Sequence, residues 1–363
     1  MNIARLDRRG TVRPILITGG CGFLGCNIAA ELARRGRDVI AFDNLARAGA
    51  QEHAGWLTER FGDRISIIAA DVREEAAVSA VVRSTAAVLH LAAQVAVTTS
   101  LDDPVEDFEV NARGTLNVLE AVRRHNPQAP VLFASTNKVY GRLFDDGAVG
   151  RSEQRYAPLD TNLSVGIDEA AALDFHSPYG CSKGTADQYV RDYARVFGLR
   201  TVVLRMSCIY GPRQFGTEDQ GWIAHFLIRA IRGEPITIYG DGCQVRDALF
   251  VDDAVDAWLR ALERADDVSG QAFNLGGGPA NSASLREMID LIARLRGRRP
   301  QLRFADWRPG DQPWYVSDVR AISRALDWRP RTPLPRGLAA LDGWLTERFA
   351  PTAPASRLQE AQA

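Results

Sequence analysis

Lysine is almost absent from this chain. Only Lys138 and Lys183 occur among 44 basic residues, and every other one is arginine. Arginine presents a planar fork of donors, whereas lysine is a compact point charge on a flexible stem. Because arginine has replaced lysine elsewhere, we expect the two remaining lysines to lie where a compact ammonium group is needed.

The sequence also lacks a charge excess and long apolar runs. Its net charge of −1 gives no reason to expect nucleic acid or an anionic membrane as a partner. No apolar run reaches the length of about 20 residues that spans a bilayer. Residues 1–13 contain no apolar core of a secretory signal, and we expect both 1–13 and 350–363 to be flexible ends.

Cysteine is scarce, and its positions show no metal-ligand spacing. The five cysteines lie mostly in apolar or glycine-rich surroundings: Cys21, Cys26, Cys181, Cys208 and Cys243. This pattern predicts neither a disulfide framework nor a metal site. It favours a reducing, cytoplasmic location.

Short apolar runs alternate with amphipathic stretches over the first part of the chain. The runs are 14–18, 38–43, 65–69, 87–91, 131–135 and 201–205. Continuous apolar strands separated by helices predict an α/β fold, a Rossmann-type doubly wound parallel sheet covered on both faces. We therefore expect a nucleotide-binding domain over 14–205. The looser pattern of 206–349 predicts mainly a smaller C-terminal substrate-binding lobe, from which some strands and helices return to the sheet.

The first apolar run meets a glycine-rich turn. Gly19 permits a tight turn, Gly22 lets the backbone approach a pyrophosphate, and Gly25 allows close packing of the following helix. Asp43 ends the next strand, where a carboxylate accepts hydrogen bonds from the adenosine ribose and favours NAD over NADP. The remaining predicted cofactor contacts are Phe23, Leu24, Asn44, Asp71, Val72, Leu91, Ala92 and Ala93.

Tyr179 and Lys183 are four residues apart, so they project from one face of a helix. A nearby ammonium favours tyrosinate, and we expect Lys183 to lower the pKa of Tyr179 toward neutrality. Such a tyrosine can take a proton from a carbinol while hydride leaves for a nicotinamide, and Lys183 can also bind the cofactor ribose. Thr136 ends a predicted strand and could hold the same substrate oxygen.

These motifs resemble the extended short-chain dehydrogenase/reductase family over residues 15–344. The resemblance rests on 18–25, on 179–183 and on 240–247. It implies that NAD is the cofactor, that the second lobe binds a nucleotide-diphospho-sugar, and that Thr136, Tyr179 and Lys183 are catalytic. It also implies a pyrophosphate contact at Arg246 and a homodimer formed through helices 105–124 and 179–197.

Several longer stretches are similar to the branch of that family that epimerises CDP-hexoses of the paratose and tyvelose type at C2. They are 94–104, 135–141, 174–184, 213–215 and 219–222. Met206 and residues 313–314 depart from that branch. The similarity implies, in addition to Arg246, substrate contacts from Gln94, Asn137, Lys138, Arg213, Gln220 and Asp311.

Asn137 and Lys138 separate this chain from nucleotide-sugar 4,6-dehydratases. Those enzymes place an adjacent Asp-Glu pair after the threonine to eliminate water, and an amide and an ammonium cannot replace that pair. Dehydration is therefore disfavoured, and the similarity described above implies C2 epimerisation through transient oxidation. A 4-epimerase, a net dehydrogenase and a non-enzymatic NAD-sensing protein remain as alternatives.

Overall fold

The computed structural model describes residues 13–144, 147–308 and 310–349. Apart from Arg13, the predicted flexible ends lie outside the described residues. The strands are β1 Ile15–Thr18, β2 Val39–Asp43, β3 Ile65–Ala69, β4 Ala87–His90, β5 Val131–Thr136, β6 Val149–Arg151, β7 Tyr156–Pro158, β8 Thr201–Met206, β9 Cys208–Tyr210, β10 Ile236–Tyr239, β11 Val245–Phe250, β12 Gln271–Leu275, β13 Ser282–Ser284, β14 Leu302–Ala305 and β15 Trp314–Tyr315. The α-helices are α1 Phe23–Arg34, α2 Ala50–Phe61, α3 Glu75–Val82, α4 Val97–Asp102, α5 Pro104–Phe108, α6 Gly114–His125, α7 Ser177–Phe197, α8 Trp222–Arg232, α9 Val251–Glu263, α10 Leu285–Arg296, α11 Arg320–Leu326 and α12 Leu334–Phe349.

A seven-stranded sheet forms the centre of the molecule, in the order β12-β8-β5-β4-β1-β2-β3. Every pairing in it is parallel. The six apolar runs of the sequence supply six of these strands, and β1, β4 and β5 are buried along their whole length. Helices cover both faces, so the predicted Rossmann-type sheet is confirmed.

The seventh strand, β12, comes from the C-terminal half of the chain and pairs with β8 along its whole length. Its sequence begins with an exposed glutamine, and its apolar residues are too few for the pattern to identify it. Helix α9 also returns and packs against α1. The exact boundary between 205 and 206 stays a prediction, because the chain crosses between the sheet and the second lobe more than once.

The second lobe is built around β11. The first half of β11 pairs with β13 and β15, and its second half pairs with β9, which follows β8 directly. This continuity places the start of β11 beside the carboxyl ends of the central strands. Two smaller pairs, β10 with β14 and β6 with β7, complete the sheets of this lobe among the described residues.

The helix predicted over 105–124 is interrupted. It consists of α5, a π-helical turn over Glu109–Arg113, and α6. The wider turn leaves the Asn111 side chain fully buried, where its amide donates to Asp107 and Ser182. Single π-turns inside helices are common at functional sites, and this one lies beside the N-terminal part of α7.

Within the described ranges, no helix is both long and apolar enough to cross a membrane. The same part of the chain contains no group of three or more His, Cys, Asp or Glu side chains suited to hold a metal ion.

A buried ion pair joins α7 to the sheet. The Arg205 guanidinium, at the end of β8, donates to both carboxylate oxygens of Asp187 at 2.9 and 3.0 Å. Ser135, at the end of β5, donates to the same carboxylate at 2.7 Å. Arg205 also donates to the Tyr140 hydroxyl at 3.1 Å. The pair therefore fixes α7 against the strand ends that carry Thr136 and Met206.

We predict that Asp187→Asn destabilises the fold by about 3–5 kcal/mol, because it leaves the Arg205 charge buried without its partner. Arg200–Asp266 is the matched control, since Asp266 has 73% of its side chain exposed. Asp266→Asn should cost less than about 1 kcal/mol. The free energy of unfolding from denaturant titration measures both, and equal effects would contradict the assigned role of the buried pair.

Candidate active site

A cavity of about 560 Å³ lies where the central strands end. Parallel strands place all their carboxyl ends at one edge of a sheet, and ligands of open α/β sheets bind there. The predicted site residues lie around this cavity with the exception of Gln94. Gln94 turns inward, where its amide donates to Ala96 and Asp107 and its oxygen accepts from the Ala96 backbone. The structure therefore gives Gln94 an internal role and leaves the other residues as candidate contacts.

The glycine-rich turn adopts a conformation that side chains would block. Gly19 has a φ of +69°, and a Cβ there would lie 2.7 Å from the Ala92 nitrogen. A Cβ on Gly25 would clash with the Gly19 carbonyl oxygen. The N-terminus of α1 thus comes directly behind the turn, and its free N–H groups face the cavity, a geometry that suits a pyrophosphate.

Two carboxylates lie at the ends of the neighbouring strands. Asp43 accepts hydrogen bonds from the backbone of Cys21 at 3.0 Å and of Leu45 at 2.8 Å, which fixes it at the rim of the turn. Asp71 accepts from the Asn44 amide at 2.9 Å. Hydrogen bonds from Arg73 lower the pKa of Asp71 to about 2, so this carboxylate is charged at neutral pH. Both positions suit the adenosine end of a dinucleotide.

Tyr179 and Lys183 lie one turn apart near the start of α7, and both are buried. The Thr136 side chain lies close enough to the Tyr179 hydroxyl to lower the pKa of that phenol, and its own hydroxyl donates to the Asn137 amide oxygen at 3.4 Å. Thr136 itself ends β5 and caps the following turn by accepting from the Lys138 backbone at 3.2 Å. The structure therefore brings the three predicted catalytic side chains to one wall of the cavity.

The expected lowering of the Tyr179 pKa by Lys183 is wrong for this structure. Burial raises the pKa of Tyr179 to about 12, although the Thr136 hydrogen bond and the Arg47 charge oppose that shift. Burial also lowers the pKa of Lys183 to about 7. The desolvation of each group outweighs any help that it receives from the other.

Arg47 is a residue that the sequence argument left aside. It is exposed at the cavity rim, and its positive charge favours the ionised form of Tyr179. The only sequence signal was its position shortly after Asp43, which does not reveal that the loop folds back toward α7.

Two cations share one carboxylate in the part of the cavity next to Thr136. The Arg246 guanidinium lies 2.5 Å from an Asp311 oxygen, and the Lys138 ammonium lies 3.9 Å from the same atom. Lys138 also donates to the Gly310 carbonyl at 3.4 Å. Burial would raise the pKa of Asp311, but the charges of Arg246 and Lys138 outweigh it and lower that pKa. This group has a surplus positive charge, which suits a diphosphate.

Arg213 lies beside the dinucleotide turn. Its guanidinium stacks on the Trp56 ring at 3.7 Å and donates to the Asn27 amide oxygen of α1 at 3.2 Å. Gln220 lines the cavity from an exposed loop before α8. Arg213 therefore joins its own loop to α1, whereas Gln220 contributes to the cavity from the loop before α8.

The second lobe adds an aromatic platform that the sequence argument missed. Arg308 lies over the Tyr239 ring at 4.0 Å, and the Tyr239 hydroxyl donates to Glu218 at 2.8 Å. All three residues line the cavity. In the sequence, Tyr239 only precedes a Gly-Asp-Gly turn. Its contact with Arg308 could not be predicted, because Arg308 comes from a distant segment of the chain.

The model of the "NAD dependent epimerase/dehydratase family" matches residues 15–276, which is more than half of the chain. The chain belongs to this family. The match covers the glycine-rich turn, the Tyr179–Lys183 pair and Arg246, so the extended short-chain dehydrogenase/reductase assignment is confirmed.

Individual relatives cover nearly the whole chain. It is 43% identical over 337 residues to CDP-paratose 2-epimerase of Salmonella typhi, covering 91% of this chain and 98% of that protein. It is 31% identical to dTDP-glucose 4,6-dehydratase of Neisseria meningitidis, with 92% and 93% covered. The solved UDP-glucose 4-epimerase of Thermus thermophilus in complex with NAD superposes with a TM-score of 0.77 at 30% identity, covering 92% of this chain and 99% of that one.

Proposed function

We infer that the protein is an NAD-dependent nucleotide-sugar epimerase that inverts C2 of a CDP-hexose of the paratose and tyvelose type. The observation that carries this inference is the cavity that joins a dinucleotide turn to Thr136, Tyr179 and Lys183. The 43% identity to a CDP-paratose 2-epimerase supports both the sugar class and the carbon.

The residues present fit NAD. The turn at Gly19 and the start of α1 would hold the pyrophosphate, and Asp43 would accept the adenosine ribose hydroxyls. Lys183 would donate to the nicotinamide ribose. When bound, NAD supplies the reversible hydride chemistry that turns the C2 carbinol into a ketone and back.

Tyr179 holds and returns the proton of the C2 hydroxyl in this reaction. Thr136 lowers the pKa of Tyr179 and so lowers the cost of forming the tyrosinate that accepts the proton. Between the two proton transfers at Tyr179, the 2-keto sugar rotates in the cavity and presents its opposite face. C2 is therefore rebuilt with the opposite configuration, and the oxidised cofactor is regenerated.

Asn137 and Lys138 favour epimerisation over dehydration. Both line the cavity directly after Thr136, at the two positions where a 4,6-dehydratase carries its acid and base. An amide does not titrate, and the Lys138 ammonium lies among the charges of Arg246 and Asp311. Neither group can remove and deliver the protons that loss of water requires.

A 4-epimerase is the second candidate, because similar proteins include UDP-sugar 4-epimerases and the same three catalytic side chains serve either carbon. The non-enzymatic alternative is disfavoured, since an NAD-sensing protein would not need Tyr179 and Lys183 together in a substrate-sized cavity.

We predict that, when CDP-, UDP-, GDP- and dTDP-hexoses are offered in deuterated water, the protein inverts C2 of a CDP-hexose without incorporating solvent deuterium. Direct hydride return keeps the original hydrogen at the inverted carbon. NMR and mass analysis of the products measure both the carbon and the isotope.

Other outcomes separate the alternatives. Inversion at C4 would favour the second candidate, accumulation of NADH would indicate a net dehydrogenase, and deuterium at the inverted carbon would reject hydride return. If Tyr179 transfers the proton, Tyr179→Phe should lower turnover by about 10²- to 10⁴-fold. Tyr189→Phe, on the exposed side of the same helix, should not.

We propose that Lys138 binds the substrate diphosphate or a sugar hydroxyl together with Arg246. Lys138→Met should then lower kcat/KM by about 10- to 100-fold, since a charged hydrogen bond is lost. Arg303→Met removes an exposed cation of the same lobe and should have little effect. Unchanged steady-state kinetics in Lys138→Met would reject substrate binding by Lys138 and leave it the structural role of holding the loop at Gly310.

We propose that two copies of the chain pair through an apolar stripe formed by Val105 and Phe108 of α5 and Tyr189, Val196 and Phe197 of α7. These side chains are between 45% and 72% exposed. On α7 they recur at helical spacing, so that they form one face. A paired surface of this kind agrees with the helices expected from the family resemblance.

We predict that Val196→Glu halves the particle mass measured by light scattering, because it places a charge in the apolar stripe. Phe304→Glu is the control, since Phe304 is also exposed, at 57%, but lies on β14. A wild-type protein that is monomeric at micromolar concentration would reject the proposed dimer.

We also propose a cytoplasmic location. All five cysteines are free thiols, and four of them are at least partly buried. A reducing compartment keeps such thiols unpaired.

A further inference from the structure

The Lys183 side chain lies inside the protein, where burial disfavours a charged ammonium group. Its side chain is 2% exposed, and its ammonium lies 4.2 Å from the centre of the Phe133 ring. Among the described residues, no carboxylate forms an ion pair with it. Burial lowers the pKa of Lys183 to about 7 even though the charges of Asp107 and Asp187 oppose that shift, so without these carboxylates its ammonium would lose its proton in neutral solution.

Two buried carboxylates act on Lys183 from a distance, namely Asp107 on α5 and Asp187 on α7. They differ in what surrounds them. The carboxylate of Asp187 accepts both hydrogen bonds of the Arg205 fork, so its negative charge is compensated within the pair. Asp187 still raises the pKa of Lys183, but it comes after Asp107 as a cause.

Asp107 is held by neutral groups alone. Its carboxylate is fully buried and accepts from the Ser182 hydroxyl at 2.5 Å, the Gln94 amide at 2.9 Å and the Asn111 amide at 3.1 Å. These donors stabilise the anion without cancelling its charge. Burial raises the pKa of Asp107, while the hydrogen bonds from Ser182 and Gln94 and the charge of Lys183 oppose that rise and favour an anion beside the start of α7.

The other titratable groups near Lys183 cannot take this role. His90 of β4 is neutral, because burial and the Lys183 charge lower its pKa to about 3. Tyr179 is protonated in this structure, with its pKa raised by burial to about 12. Arg205 of β8 is cationic and already paired with Asp187. Arg47 faces Tyr179 and carries a positive charge as well.

We propose that Asp107 is a positioning residue that keeps the buried Lys183 ammonium protonated, through a charge held in place by Gln94, Asn111 and Ser182. The proposal explains why Gln94 turns away from the cavity: it supports the anion behind the catalytic helix. It also explains the short contact from Ser182, which precedes Lys183 and links α7 to α5. This role rests on the proposed function of Lys183 but goes beyond it.

The scarcity of lysine makes a direct test possible. Protein labelled with ¹³C at lysine Cε gives only two lysine signals, and comparison with Lys138→Met assigns them. The chemical shift of the Lys183 signal against pH then reports the charge of that one ammonium, in the absence of substrate and without turnover.

Asp107→Asn should lower the pKa of Lys183 by about one pH unit, because a buried opposite charge that favours the ammonium is lost. The alkaline limb of the kcat profile should also move to lower pH, while KM for the nucleotide-sugar stays unchanged. Because Asp107 raises the pKa of Tyr179 as well, the lysine signal and not the kcat profile gives the size of the Lys183 shift. Glu109→Gln is the control: Glu109 is an exposed carboxylate of the adjacent π-helical turn and should leave the Lys183 titration as it is.

An unchanged Lys183 titration in folded Asp107→Asn would overturn the proposal, as would a shift of equal size in Glu109→Gln. If Asp107→Asn does not fold, Asp107→Ser takes its place: this smaller neutral side chain removes the same charge, and an unchanged Lys183 titration in that variant would reject the coupling. Because the NMR readout needs no catalysis, failure of the epimerase assignment would leave it interpretable.

Discussion

The Arg205–Asp187 ion pair fixes α7 against the ends of β5 and β8, and the rest of the active site depends on that orientation. Ser135 joins the pair from β5 and so fixes the strand end that carries Thr136. Lys183 precedes Asp187 by one helical turn, so its ammonium must lie inside the protein once the pair forms. The buried lysine is thus a consequence of how the helix is attached. The same attachment creates the need for a second, uncompensated carboxylate nearby.

Charge is distributed unevenly around the cavity. On α7, burial shifts the pKa values of both Tyr179 and Lys183. Beyond Thr136, Arg246 and Lys138 share the single carboxylate of Asp311. The first pair holds a phenol and an amine at defined positions. The second group attracts an anion. A nucleotide-sugar, with its diphosphate between base and sugar, can engage both groups at once.

Much of the fold could be predicted because its signals are local. The apolar runs that become β1 to β5 and β8 are continuous. The glycines before α1 have the spacing of a dinucleotide-binding turn between a strand and a helix. Strand β12 was not predicted because its burial comes from β8, which lies far away in sequence. Gln94 does not line the cavity, and no residue near it in sequence indicates that its amide donates to Asp107. The predicted effect of Lys183 on Tyr179 failed for a similar reason: spacing gives proximity, but burial decides the size and sign of a pKa shift.

The sequence by itself determined the sheet, the dinucleotide turn and the identity of the chemical groups, including two lysines in a chain that otherwise uses arginine. These features follow from residue type and short-range spacing. Only the tertiary structure decided which charges are compensated. Asp187 and Asp107 are both buried acids, and they differ because β8 brings an arginine to one, whereas in the described part of the chain the hydrogen bonds to the other come from neutral groups. That difference arises from contacts between distant segments, which no local pattern encodes.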